Sequence, residues 1–227
     1  RLAKRSVYKS PADIENIVKE AALITTRNKR ESIIYKDISE AMERVDLGMK
    51  RKRILTPAEK KNTAYHESGH LLVMYALHPT NDVFKASIVS RRYSLGVVYS
   101  HPREELYSHN KEKFLADVKV SLAGYVAEKL KCGSTSEGVS SDFKNAMKIA
   151  HSMVWQLGMS EKSYIGDYTV VPEGQISDKI KEELNQETQK IFHKCIKDVE
   201  DLLIRENVLL ERFAKELVEK NELEYDE

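Results

Sequence analysis

Apolar positions recur at helical spacing over most of this chain. Ile14, Ile17, Val18, Ala21 and Ile24 line one face of a segment opened by Ser10-Pro11-Ala12-Asp13. Ser10 suits an N-cap and Pro11 the first helical position. Asp13 stands at the third, where a carboxylate faces unpaired backbone N–H groups. Residues 32–35 read as a short extended stretch and residues 37–45 as a second amphipathic helix. Gly48 and the basic run 50–53 interrupt the pattern and place a boundary after residue 48. Thr56-Pro57-Ala58-Glu59 is a stronger capping box, and its helix can run to about Leu77, before His78-Pro79. Branched and aromatic residues over 83–89 and 95–100, joined through Ser90-Arg91-Arg92-Tyr93-Ser94, predict a β-hairpin. Helices are predicted over 111–131, 141–156, 178–205 and 208–220. In the third of these Ile180, Leu184, Ile191 and Leu202 form an apolar stripe suited to core or subunit contact. The expected fold is mainly α with a small β-sheet.

Composition narrows the class. The chain has 227 residues, 37 basic against 36 acidic, and its net charge of +1 gives no overall field to attract nucleic acid. The basic run 50–53 is read as a solvated linker, so no nucleic-acid partner is expected. Cys132 and Cys195 lie far apart and match no metal or redox spacing, which excludes a disulfide scaffold. The longest apolar run, residues 71–77, is far short of the roughly 20 residues that span a bilayer. The opening Arg1-Leu2-Ala3-Lys4 is no signal peptide and suggests a fragment, expected to be soluble. A segment the size of residues 1–48 is too small to bury a dependable core alone, so it is expected to end a larger domain. No Gly-x-x-x-x-Gly-Lys phosphate loop is present, so any ATP site lies outside these residues.

His66-Glu67-Ser68-Gly69-His70 falls in the middle of the helix capped at Thr56. A spacing of four puts both imidazoles on one face, one turn apart, as two corners of a tetrahedral Zn²⁺ site require. Glu67 can then reach a water on the metal and act as general base of a hydrolase. Gly69 costs about 1 kcal/mol in a helix interior, so it calls for a packing reason. The third ligand is open. Ala76 stands where an extended signature has its third histidine, and His78 reads as a helix cap. Asp117, Glu128, Glu137 and Asp142 are all candidate carboxylates, and spacing does not choose among them.

Beyond these five residues the chain resembles the FtsH-type ATP-dependent metalloproteases. That family reads His-Glu-Ala-Gly-His, then a strand like Ile-Pro-Arg-Gly-x-x-Leu-Gly, then Gly-Gly-x-x-Ala-Glu, then Gly-Ala-x-x-Asp-Leu-x-x-Ala and Met-Val-x-x-x-Gly-Met-Ser. The counterparts here, in the same order and at similar spacing, are 66–70, 88–96, 123–128, 138–146 and 153–160. The resemblance implies Zn²⁺ held by His66, His70 and Asp142, with Glu67 as the base. It makes Glu128 a candidate partner that orients a ligand, and Ile88, Val89 and Gly96 part of an edge strand that would bind substrate backbone. Residues 1–48 resemble the end of an AAA ATPase module, its helical lid, which leaves 49–227 as the metallopeptidase domain. ATP with Mg²⁺, membrane helices and hexamer-forming segments would then belong to an upstream region. The implied setting is a bacterial inner membrane facing the cytoplasm, or an organellar membrane, and the implied substrates are unfolded or misassembled polypeptides.

Some positions depart from the family pattern. Ser68 replaces Ala, Ser90 replaces Pro, Arg92 and Tyr93 occupy the Gly region, and the first of two glycines before Tyr125 is Ala123. Val139 and Phe143 replace Ala and Leu beside Asp142. None removes a catalytic group. The rival readings, an inactive oligomerisation or adaptor module of the same fold and a plain helical interaction domain, both predict no metal at His66 and His70.

Overall fold

The computed structural model describes residues 2–50, 54–91, 95–161 and 165–224. It is mainly helical: α1 (Leu2–Arg5), α2 (Pro11–Arg27), α3 (Tyr35–Leu47), α4 (Pro57–Leu77), β1 (Asn81–Ser87), β2 (Val97–Pro102), α5 (Lys111–Cys132), α6 (Val139–Trp155), α7 (Asp178–Arg205), α8 (Asn207–Lys220) and β3 (Glu222–Glu224). Arg92, Tyr93 and part of the basic run lie outside the described residues.

Both capping boxes form. The Ser10 and Thr56 hydroxyls accept from the Asp13 and Glu59 amides, and those carboxylates accept in return from the capping backbone. α3 begins at Tyr35, inside the stretch expected to be extended. There the Asp37 carboxylate accepts from the Ile34 amide (3.1 Å) and the Thr25 hydroxyl (2.9 Å), which starts the helix two residues early.

The hairpin pairs antiparallel, Ser87 opposite Val97, but β1 stops at Ser87 rather than continuing to Val89. The Ile88 amide instead donates to the Asn221 carbonyl (2.9 Å) and the Val89 amide to the Ser87 hydroxyl (3.1 Å). A third strand, unforeseen from the sequence, completes the order β2-β1-β3. Asn221, at φ 65°, ends α8 in the left-handed region and turns the chain so that Glu222–Glu224 pairs with Ser87, Ala86 and Lys85.

The core gathers around α4, which is packed by α5, α8 and β1. Leu72, Val73, Ala123, Val126, Ala127, Leu203 and Leu210 fill it. A second cluster joins α5, α6 and α7 through Val118, Leu122, Ala146, Ala150, Phe192 and Cys195. The α7 stripe is thus largely core: Leu184 and Leu202 are buried, Ile180 and Ile191 half-buried. Burial pushes the Cys195 thiol up to about 11, in keeping with a small inert hydrophobe.

α2 and α3 share a separate cluster of Ile17, Ala21, Ile24, Ala41 and Met42. Buried charge ties this pair to the sheet. Glu43 on α3 meets Lys85 of β1 (3.0 Å) and the guanidinium of Arg91, side chains that are 3%, 5% and 0% exposed. Arg91 also donates to the Gly48 carbonyl (3.2 Å), and Lys85 to Glu222 of β3 (3.2 Å).

Candidate metal centre

Close packing of α4 on α5 builds the site. A Cβ placed on Gly69 would lie 2.6 Å from the Ala123 carbonyl oxygen and 2.7 Å from the Ala127 Cβ. The glycine in the middle of α4 therefore lets the two backbones approach, which is the packing reason its helix cost requires. One residue along α5, a Cβ on Gly124 would fall 2.4–2.7 Å from three atoms of the His66 ring. The imidazole lies directly against the α5 backbone, and no larger residue fits beneath it.

α6 begins at Val139 with Gly138 as its N-cap, so Asp142 stands within the first turn and is not the cap itself. That turn aims its carboxylate at α4. Asp142 Oδ2 is 3.2 Å from His66 Nε2 and 3.3 Å from His70 Nε2, and the two Nε2 atoms are 3.0 Å apart. Among the described residues this is the one group of three or more His, Cys, Asp or Glu side chains with ligand atoms all within 4.8 Å.

The far sides of both rings explain which nitrogens carry lone pairs. His70 Nδ1 lies 2.7 Å from the Val120 carbonyl oxygen, which can only accept, so Nδ1 carries the hydrogen. His66 Nδ1 lies 2.8 Å from Glu128 Oε1. Burial would raise the Glu128 carboxyl, but His66 and the Ser136 amide outweigh it and hold the group below its ordinary range, an anion that accepts. A neutral imidazole at either position then directs its Nε2 lone pair toward the same point as the Asp142 oxygen, the form a bound cation would favour.

Atoms that each bind a tetrahedral ion at roughly 2.0–2.1 Å stand roughly 3.3 Å from one another, close to the spacings found. The donor set also calls for positive charge. Burial disfavours a charged His66, yet Asp142 and Glu128 prevail and hold its pKa up at about 10. The same imidazoles hold Asp142, itself half-buried, well below the carboxylate range against the effect of burial. Two imidazoles, one carboxylate and a carboxylate behind fit a divalent transition metal of the zinc type.

Glu67 stands beside the cluster, 5% exposed. Burial pushes its carboxyl above the ordinary range, against the pull of His66 and His70. Neighbouring Ser68 is buried, and its hydroxyl finds no hydrogen-bond partner among the described residues.

The other candidates are elsewhere. His78 ends α4 as a cap and is buried, its Nε2 3.0 Å from Asp117 and its Nδ1 accepting from the Asn81 amide. That pairing removes Asp117 from the ligand candidates, and Glu137 is exposed on the turn before α6. Ile88 and Val89 follow the end of β1 and belong to no strand, the Ile88 amide donating to the Asn221 carbonyl. Gly96 directly precedes β2, which pairs only with β1 among the described residues. Two features went unseen in the sequence: the Gly124 seat under His66 and the Val120 carbonyl behind His70. The glycine within a helical run was the available signal for the first, and a backbone carbonyl carries none.

Residues 53–227 match peptidase family M41. The chain is similar to the ATP-dependent zinc metalloprotease FtsH of Borreliella burgdorferi (strain ZS7), 34% identical over 236 residues covering 98% of this chain and 37% of that protein. It is 32% identical over 238 residues to the enzyme of that name from Thermus thermophilus, covering all of this chain and 38% of the relative. To FtsH 3 of Petrotoga mobilis it is 36% identical over 224 residues, 92% of this chain and 34% of that protein. The chain thus spans little more than a third of the length of the curated relatives it matches.

Proposed function

The chain belongs to peptidase family M41, and from that premise we propose that it is the zinc endopeptidase part of an ATP-dependent protease of the FtsH type. The observation that carries this reading is the convergence of His66, His70 and Asp142, with a buried Glu67 next to the first ligand. When bound, zinc supplies Lewis acidity that polarises a peptide carbonyl and acidifies a water. Glu67 takes the proton from the attacking water and returns it to the departing amide nitrogen. Glu128 and the Val120 carbonyl hold the two imidazoles in the tautomer that keeps each Nε2 unprotonated.

Polypeptide in extended form is the substrate class this arrangement suits. The outer edge of β2 has no strand partner among the described residues, and a backbone added there would run past Gly96 toward Glu67. Residues 1–48, with their own α2–α3 core, are read as the end of an AAA lid, and 49–227 as the peptidase domain. No described helix is long and apolar enough to cross a membrane. Mg²⁺-ATP binding, a membrane anchor and a hexameric ring would then belong to parts of such a protease outside these residues. The alternative, an inactive assembly module, is not favoured, because the base and every proposed ligand are present.

Elemental mass spectrometry of the purified chain tests this. About one zinc per chain is expected. Glu128→Gln leaves the ligands in place and should weaken zinc affinity by about 10–100-fold, and Asp142→Asn should weaken it more. Full affinity in Asp142→Asn would remove that residue from the ligand set. A chain that takes up no zinc would turn the reading to the assembly module.

A further inference from the structure

We propose that Gly96 is a positioning residue for the Glu67 carboxylate, its bare backbone forming the wall against which the base is held. The functional half of this inference rests on the reading of Glu67 as the base.

A Cβ placed on Gly96 would lie 2.5 Å from Glu67 Oε1, 2.7 Å from Cγ and 2.8 Å from Cδ. Three successive atoms of one side chain meet the same point, so Gly96 lies along the length of the glutamate and not merely at its tip. Rotating the carboxylate about its last bond would relieve the contact with Oε1 alone. An alanine here must move Cγ and Cδ, and with them the whole carboxylate.

The glutamate is the side that must give. Glu67 is 5% exposed on α4, so its carboxylate has few places to go. Gly96 is followed at once by β2, whose Val97 and Val98 pair with Ser87 and Ala86 of the central strand. Nor does torsion explain the glycine. Gly96 is absent from the positive-φ residues, which include Gly48, Gly133, Gly158 and Gly166, so its backbone conformation suits any residue. Space alone demands it. The strand that would guide a substrate backbone therefore also sets where the proton acceptor stands, and the two are placed by one contact.

The test is a double-mutant cycle in the full chain. Gly96→Ala should lower the thermal midpoint by about 3–10 °C, as overpacking does. It should lower kcat on an unstructured peptide by about 10–100-fold, the scale of a misplaced catalytic group. KM should stay within about twofold, and zinc content should be unchanged. In a Glu67→Ala background the wall has nothing to press on. There Gly96→Ala should leave the midpoint within about 1 °C or raise it, because Gly→Ala at an unstrained position stabilises. An equal drop in both backgrounds would overturn the proposal, and so would an unchanged kcat in Gly96→Ala. Should Gly96→Ala alone fail to fold, recovery by the added Glu67→Ala supports the contact and continued failure rejects it. The midpoint cycle reads out even in a chain that cleaves nothing, so it separates failure here from failure of the protease reading.

Discussion

Glu67→Gln should lower kcat/KM for peptide hydrolysis by about 10²–10⁴-fold, the usual range for removing a general base, and leave zinc content unchanged. The two carboxylates of the site are driven in opposite directions by their surroundings. Burial raises Glu67, which fits it to accept a proton. Despite its burial, two imidazoles hold Asp142 down, which favours its anion. Groups so separated suit the separate roles proposed for them, one moving the proton and the other holding charge. Glutamine preserves the volume packed against Gly96 and removes only the basic oxygen. Steady-state kinetics beside metal analysis decides the matter. A variant that keeps more than a tenth of the activity would place the base elsewhere.

Glu43→Gln should destabilise the chain by about 3–5 kcal/mol, the cost of breaking a buried ion pair from one side. For a chain of this size that lowers the midpoint by roughly 6–20 °C. Glu43 answers two buried cations. Without its charge Lys85 still has Glu222 at 3.2 Å, but among the described residues Arg91 keeps only the Gly48 carbonyl and its Nε has no partner. Replacing Glu15, which pairs with Lys19 on the open face of α2, should change stability by less than about 0.5 kcal/mol. Thermal or urea unfolding of both variants makes the comparison. Equal effects would mean that the buried contact contributes no more than a surface pair.

The helices could be read from the sequence where a local signal opens them. Ser10 with Asp13 and Thr56 with Glu59 mark their starts within four residues, and the α2 and α4 starts follow from those caps. The His66 and His70 pair is likewise local, a matter of one helical turn. The third corner is not. Asp142 reaches the imidazoles because α5 sets the height of α6 against α4, and no spacing between residues 70 and 142 encodes that height. Asp117, an equal candidate by spacing, is taken by His78. β3 is three residues long, too short to announce itself, and forms only because Asn221 turns it onto β1. The contacts of Glu43 with Lys85 and Arg91 join positions more than forty residues apart, and nothing near either end marks them.

α4 and α6 each pack chiefly on α5 and hardly on one another. A metal ion shared by His66, His70 and Asp142 would therefore be the main direct tie between them. It would act on the chain as a cross-link, closing a loop that contains the β-hairpin and the whole of α5, and it would stabilise the fold partly by restricting the unfolded ensemble. The cluster shared with α5 and α7 seats α6 without the ion, so losing the ion would loosen the α4–α6 tie and end peptide hydrolysis together while the helix stays docked.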